Sequence, residues 1–181
     1  MRFQHALFAA AFSVVTTMSF PIIAIGQMRP LNDPVVAHPN PESLFTSDDP
    51  HLHRNKQTAL HIMRELLQCG QWDRAGEWLT DRYIQHNPLA GSGLEAVQHY
   101  FINVAKVQPT ETCDKLTNPI VAVAAEDDLV TVLIRREMPI PGDPSGETYT
   151  TTWFDAWRFV DGKADQHWDP ATLPTATPPQ N

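Results

Sequence analysis

Asp155, His167 and Asp169 are the side chains of this sequence best suited to moving a proton. They fall within one short stretch, Trp153 to Asp169, reading WFDAWRFVDGKADQHWD. That stretch holds three tryptophans, four aspartates, an arginine and a histidine around one Asp161-Gly162 pair. Both residues of such a pair tolerate positive φ, so the aromatic-rich runs on either side read as a hairpin. Carboxylates gathered in apolar surroundings are harder to ionise, from desolvation and from each other's charge, so one of them could take and return a proton near neutral pH. A histidine beside them could donate a hydrogen bond to a developing oxyanion, a combination suited to proton abstraction next to a carbonyl. The competing reading is a solvated edge hairpin in which Arg158 and Lys163 neutralise the aspartates and His167 is an ordinary surface residue.

The register of the hairpin decides which residues meet. Side chains alternate across a strand, so Trp153, Asp155, Trp157 and Phe159 share one face, and Phe154, Ala156 and Arg158 the other. A three-residue loop, Val160-Asp161-Gly162, sets Asp155 opposite His167, Trp157 opposite Asp165 and Trp153 opposite Asp169. A two-residue Asp161-Gly162 loop flips the face, setting Asp155 against Trp168 and Arg158 against Asp165. The three-residue loop is favoured here, because it gathers Asp155, His167 and Asp169 in one tryptophan-lined space.

The elements that must position these residues follow from the pattern upstream. Ala59, Met63, Leu66 and Leu67 recur at helical spacing before Gly70, which predicts a first helix of about four turns with a left-handed stop. Trp72, Ala75, Trp78 and Leu79 predict a short second helix. Ser92 with Glu95 three residues later reads as a capping box opening a third helix, whose apolar face is Leu94, Val97, Phe101 and Val104. Between the last two, Tyr83 to Pro88 reads as a short extended segment or as a turn bonded to its own backbone. Downstream, Ile120 to Ala125, Leu129 to Arg136, Tyr149 to Val160 and Lys163 to Trp168 predict strands, with a Pro- and Gly-rich loop from Met138 to Gly146. The expected class is α+β: a curved antiparallel sheet wrapped on about three N-terminal helices, leaving a conical cavity for a small molecule.

The rest of the 181 residues bounds the function. Met1 to Gly26 carries Arg2 and His5, an apolar run and an Ala24-Ile25-Gly26 small-residue pattern, which reads as a secretory signal peptide and predicts export to the periplasm or the exterior. Its removal takes Arg2 from the 13 basic residues and leaves 12 against 21 acidic ones, a net charge of -9. So acidic a surface argues against nucleic acid and anionic membrane as partners. Residues 27–50 read as a Pro-rich linker or mobile arm, 51–169 as the domain, and 170–181 as a tail outside the fold. Cys69 and Cys113 either pair, as export would permit, or stay as buried thiols. His51, His53 and His61 form a loose group without the spacing of a zinc motif, so no metal is expected. With no GxSxG, P-loop or GxGxxG either, a serine hydrolase or nucleotide enzyme is not expected.

Three segments in order, Tyr83-Ile84-Gln85-His86-Asn87-Pro88, Gly93-Leu94-Glu95 opening a helix, and Asp155 to Lys163 with Gln166-His167-Trp168-Asp169, resemble the SnoaL-like polyketide cyclases of the nuclear transport factor 2-like superfamily. The resemblance spans about 51–169 and implies a cone-shaped α+β barrel, dimeric, with a pocket between sheet and helices. It further implies ring closure by intramolecular aldol condensation without metal or organic cofactor, acting on a small hydrophobic or carbonyl-containing molecule. Carried onto this sequence, Asp169 is the acid-base carboxylate with Asp155, His167 and His86 beside it, and Tyr83, Asn87, Trp153 and Trp168 bind the ligand. The chain departs from the family pattern at Gln166, where a glutamate is usual, at Ala164, and in its exported N-terminus. The alternatives are a non-catalytic ligand-binding or dimerisation module of the same fold, and an isomerase or hydrolase acting on a hydrophobic ring compound.

Overall fold

The computed structural model describes residues 28–173, so the segment read as a signal peptide and most of the tail lie outside the described residues. Five strands form one curved, unclosed sheet: β1 (Leu79–Gln85), β2 (Ile120–Glu126), β3 (Leu129–Pro139), β4 (Thr148–Val160) and β5 (Lys163–Trp168). Their order across the sheet is β1-β5-β4-β3-β2. The four later strands pair antiparallel in sequence order, whereas β1 joins the edge beside β5 in parallel. The run Trp72 to Leu79 is thereby split: Trp72–Glu77 is a 3-10 turn, and Leu79 already opens the strand.

Two helices lie against the concave face. α1 (Pro50–His61) continues as wider π-helical turns through Ile62–Gln68, with the Cys69 amide donating to the Arg64 carbonyl at 3.0 Å, and ends at Gly70 with φ 68°. Only glycine suits this stop, since a Cβ there would lie 2.7 Å from Val107 Cγ1. α2 (Leu94–His99) likewise widens over Tyr100–Val104. Its cap is Gly93, at φ 100°, with no side-chain hydrogen bond. The capping box expected at Ser92 does not form, because Ser92 Oγ accepts the Gln85 amide at 3.0 Å and ties the loop to the end of β1 instead. The core joins Ala59, Met63 and Leu66 of the first helix to Val130 and Val132 of β3 and Trp157 and Phe159 of β4. Among the described residues no helix is long and apolar enough to cross a membrane.

The segment before α1 is not a free linker. Phe45, at the end of a 3-10 turn (Pro41–Phe45), is wholly buried, Glu42 Oε1 accepts the Leu116 amide at 2.7 Å, and the His38 amide donates to the Ile120 carbonyl at 2.7 Å. One aromatic anchor with a few backbone bonds docks a chain that has no hydrophobic period, and a composition-based reading is blind to that. Cys69 and Cys113 are joined as a disulfide, their Cα atoms 6.1 Å apart. The bond ties the end of the first helix to the connection between α2 and β2.

The β4-β5 hairpin follows neither expected register. Its loop is the two-residue Asp161-Gly162, with φ 50° and 82°, the primed type of turn that suits the twist of paired strands, and Val160 faces Lys163. Between Phe159–Ala164 and Arg158–Gln166 the register slips by one residue, so that Trp157 lies opposite His167 and Ala156 opposite Trp168. Asp165 is the extra residue of this β-bulge. One inserted residue reverses the face that the two-residue turn had set, and His167 returns to the side of Asp155. Trp157 therefore does not meet Asp165, whose carboxylate turns to Thr80 Oγ1 at 2.8 Å and to the Arg82 guanidinium.

Candidate active site

The concave face of β4 presents Trp153, Asp155 and Trp157 in a row, and β5 adds His167, with Asp169 just past its end. β1 contributes Tyr83 and Gln85, with Asn87 two residues beyond. Gln85, Asn87, His167, Asp155 and Asp169 border a chamber of about 280 Å³, Trp153 borders a second of about 430 Å³ that shares Leu67, Asp155 and Asp169 with it, and Tyr83 and Trp157 border a small third of about 40 Å³ that shares Gln85 and His167 with the first. Val97, Tyr100 and Phe101 form the apolar wall facing the acids.

His167 is the hinge of the polar cluster. Its Nε2 lies 3.0 Å from Asp155 Oδ1 and its Nδ1 lies 2.7 Å from Gln85 Oε1. Charged, the ring donates to both oxygens. Neutral, it keeps both partners if the Gln85 amide turns its NH2 toward Nδ1. The imidazole can thus gain or lose a proton without losing its support. Asp169 is held from two sides: Oδ2 accepts Asn87 Nδ2 at 2.8 Å, and Oδ1 accepts the Ala171 amide at 2.9 Å. The Asn87 amide is oriented in turn by its own oxygen, which accepts the Leu89 amide at 2.8 Å. The self-bonded turn and the pocket contact expected of Asn87 as alternatives thus occur together.

Behind the cluster, Tyr83 is buried and accepts a hydrogen bond from Trp157 Nε1 at 3.1 Å. Burial, reinforced by the charges of Asp155 and Asp169, pushes its phenol well above its ordinary range against the pull of the indole hydrogen bond. Tyr83 is therefore a neutral wall and no base. The cations that would have neutralised a solvated hairpin are engaged elsewhere. Arg158 pairs with Asp128 at 3.3 Å, and Lys163 donates to the Gly76 carbonyl at 2.6 Å.

Of the eight side chains singled out from sequence, Asp155, His167, Asp169, Asn87, Tyr83 and Trp153 border this system of chambers. His86 and Trp168 do not. They stack on each other on the opposite face of the sheet, ring centroids 4.4 Å apart, with His86 Nε2 3.0 Å from Gln166 Oε1. The reason is strand alternation: His86 lies between Gln85 and Asn87, and Trp168 between His167 and Asp169. Gln85 is a site residue that the sequence motifs do not single out, although its even spacing with Tyr83 and Asn87 puts it on their face. The ligating atoms of Asp155, His167 and Asp169 all lie within 4.8 Å of one another, a spacing that also suits a divalent cation. His51, His53 and His61 do not converge. They bond to Asn55, the Ser47 amide and Glu65 respectively.

The domain is of the α+β class, with a curved sheet over a cavity bordered by two carboxylates and a histidine. Residues 61–167 match the SnoaL-like domain, and the chain belongs to that family. Among solved structures it is similar to a protein assigned to the polyketide cyclases from Acidithiobacillus ferrooxidans, at 16% identity over 68% of this chain and 89% of that one, with a TM-score of 0.48. A SnoaL-like polyketide cyclase assignment from Jannaschia sp. CCS1 is 20% identical over 69% and 91%, with a TM-score of 0.47. An NTF2-like protein of unknown function from Burkholderia pseudomallei is 17% identical over 66% and 91%, with a TM-score of 0.45. No curated protein matches the chain.

Proposed function

We propose that this protein catalyses aldol-type proton transfer on a small carbonyl compound in the cavity between sheet and helices. The observation that carries the reading is the convergence of Asp155, His167 and Asp169 on one cavity, their polar atoms within 4.8 Å of each other. Asp169, steadied by Asn87 and the Ala171 amide, takes the proton from the carbon next to the carbonyl. His167, backed by Asp155, donates a hydrogen bond to the enolate oxygen, where negative charge develops. The enolate carbon then bonds to a second carbonyl carbon of the same molecule, and the alkoxide so formed takes the proton back from Asp169. The apolar wall of Val97, Tyr100 and Phe101 would hold the chain folded for ring closure.

A second reading, a pocket that binds without reacting, is supported by the two hydrogen bonds that Asp169 accepts from Asn87 and the Ala171 amide, since they would hold a purely structural carboxylate equally well. Deuterium uptake separates the two. In D2O the protein is expected to accelerate exchange at the methylene of 6-acetoacetyl-2-naphthoate, a 1,3-diketone, over buffer alone. Asp169→Asn should lower that acceleration by about 100-fold or more with its thermal unfolding unchanged. No acceleration by the wild type, or full acceleration by a folded Asp169→Asn protein, would overturn the catalytic reading.

A further inference from the structure

The outer chamber sets two cations, Arg135 and Arg136, beside the aspartates that it shares with the inner one. Along the cavity face of the β3-β4 pair the rungs run Val132–Asp155, Ile134–Trp153 and Arg136–Thr151, so Arg136 lies on the same face as Asp155, two rungs beyond it. Its guanidinium lies over the Trp153 ring, 4.3 Å from the centroid, and both residues line the chamber that also contains Asp155 and Asp169. Arg64, Arg74, Arg82 and Arg158 are each paired with a carboxylate. Among the described residues Arg29, Arg54, Arg135 and Arg136 have no such partner, and Arg136 is the one of them that shares the face of Asp155 and lies over the Trp153 ring. A guanidinium over an indole is held by the cation–π attraction while its N–H donors remain available to a carboxylate.

Two aspartates in the inner chamber repel an anion from the reacting end. A charged substrate is tolerated only if its charge is held at a distance by a cation. At roughly 3.3 Å per residue, Trp153 stands about 7 Å and the Arg136 rung about 13 Å along the sheet from the rung of Asp155. We propose that Arg136, held over the Trp153 ring, binds a carboxylate at the far end of the substrate. The substrate class is then an elongated, largely apolar carbonyl acid, its carbonyl at Asp169 and His167 and its carboxylate about the length of two fused rings away. The assignment of the two ends rests on the proton-transfer reading of the inner cluster.

The test is a fluorescence titration of the whole chain with 6-acetoacetyl-2-naphthoate and with its methyl ester. The wild type is expected to bind the acid about tenfold more tightly than the ester, as a charge-assisted hydrogen-bonded pair requires. Arg136→Gln should weaken the acid to the level of the ester and leave the ester unchanged, and Arg136→Lys should restore part of the preference. Arg136 is exposed, so unfolding of these variants is not expected, and thermal scans check this. Equal affinities in the wild type, a preference that survives Arg136→Gln, or no binding of either compound would overturn the proposal. A wild type that prefers the acid but exchanges no deuterium overturns the catalytic reading and leaves this one standing.

Discussion

At the scale of single residues, the site is built by pairing each reactive group with a neighbour that constrains it. Asp155 holds His167, Asn87 holds Asp169, and the Leu89 amide holds Asn87. Tyr83 does the same for the wall, since its hydroxyl is the acceptor for the buried Trp157 indole. Tyr83→Phe keeps the ring but strands that N–H without a partner, at a cost of about 1–3 kcal/mol. Urea denaturation should read this as a lower midpoint with an unchanged slope. An unaltered midpoint would mean that Trp157 finds another acceptor. The Asp155, His167 and Asp169 cluster makes no hydrogen bond to the Tyr83 hydroxyl, so on the proposed reading deuterium exchange should persist in the folded variant.

At the scale of elements, the decisive feature is the pairing of a two-residue turn with a one-residue bulge. Asp161-Gly162 alone would send His167 and Asp169 to the outer face; Asp165 sends them back. Its carboxyl is held below the usual range chiefly by the hydrogen bond from Arg82, against the cost of its burial and with help from Thr80. A bulge whose extra residue is anchored by an ion pair to the neighbouring strand cannot slide along β5 without breaking that pair. Deletion of Asp165, the residue outside the ladder, should leave a regular hairpin of the same parity, with Gln166 still opposite Arg158 and His167 still opposite Trp157. In such a protein naphthoate binding, read by fluorescence titration, should persist, whereas one alanine inserted after Gln166 should set His167 opposite Ala156, turn it and Asp169 to the outer face and abolish binding. A folded deletion variant that lost the probe, or an insertion variant that kept it, would show that the register of β5 does not set the face.

At the scale of the whole molecule, Glu65 connects the parts. It is buried in the π-helical turns, accepts Trp78 Nε1 at 3.2 Å, and pairs with His61 at 2.6 Å and Arg74 at 2.9 Å. Burial alone would raise its carboxyl, but the His61 hydrogen bond and the charges of His61 and Arg74 outweigh it and hold the group below its ordinary value. A depressed folded value means that the stabilisation is complete above the unfolded pKa, about 4.3, and is lost as pH falls through the folded one. Glu65→Gln should thus melt lower than the wild type at pH 7, and the gap should narrow below about pH 4. Thermal scans across that range check the sign, and a gap constant with pH would contradict it. Nearby, the Cys69–Cys113 disulfide and the buried Phe45 fasten the connecting segments over the same helix.

Much of this was legible in the chain. Apolar periods of 3.6 and 2 marked the helices and the four later strands, because those periods are the geometry of the elements themselves. The types and spacing of Asp155, His167 and Asp169 marked the chemistry, and alternation kept them on one parity within each strand. Alternation alone also excluded His86 and Trp168 from the face of their neighbours, a consequence that motif matching passes over. Other features depended on contacts between residues far apart in sequence. The bulge at Asp165 is stabilised by Thr80 and Arg82 from a strand some 80 residues earlier, and no local signal announces it. The docking of Phe45, the disulfide and the placement of Arg136 over Trp153 likewise exist only once the sheet has curved around its helices. Local sequence determined which residues could share a face; which way that face points was decided by tertiary pairing, because one inserted residue reverses it at little cost to the strand.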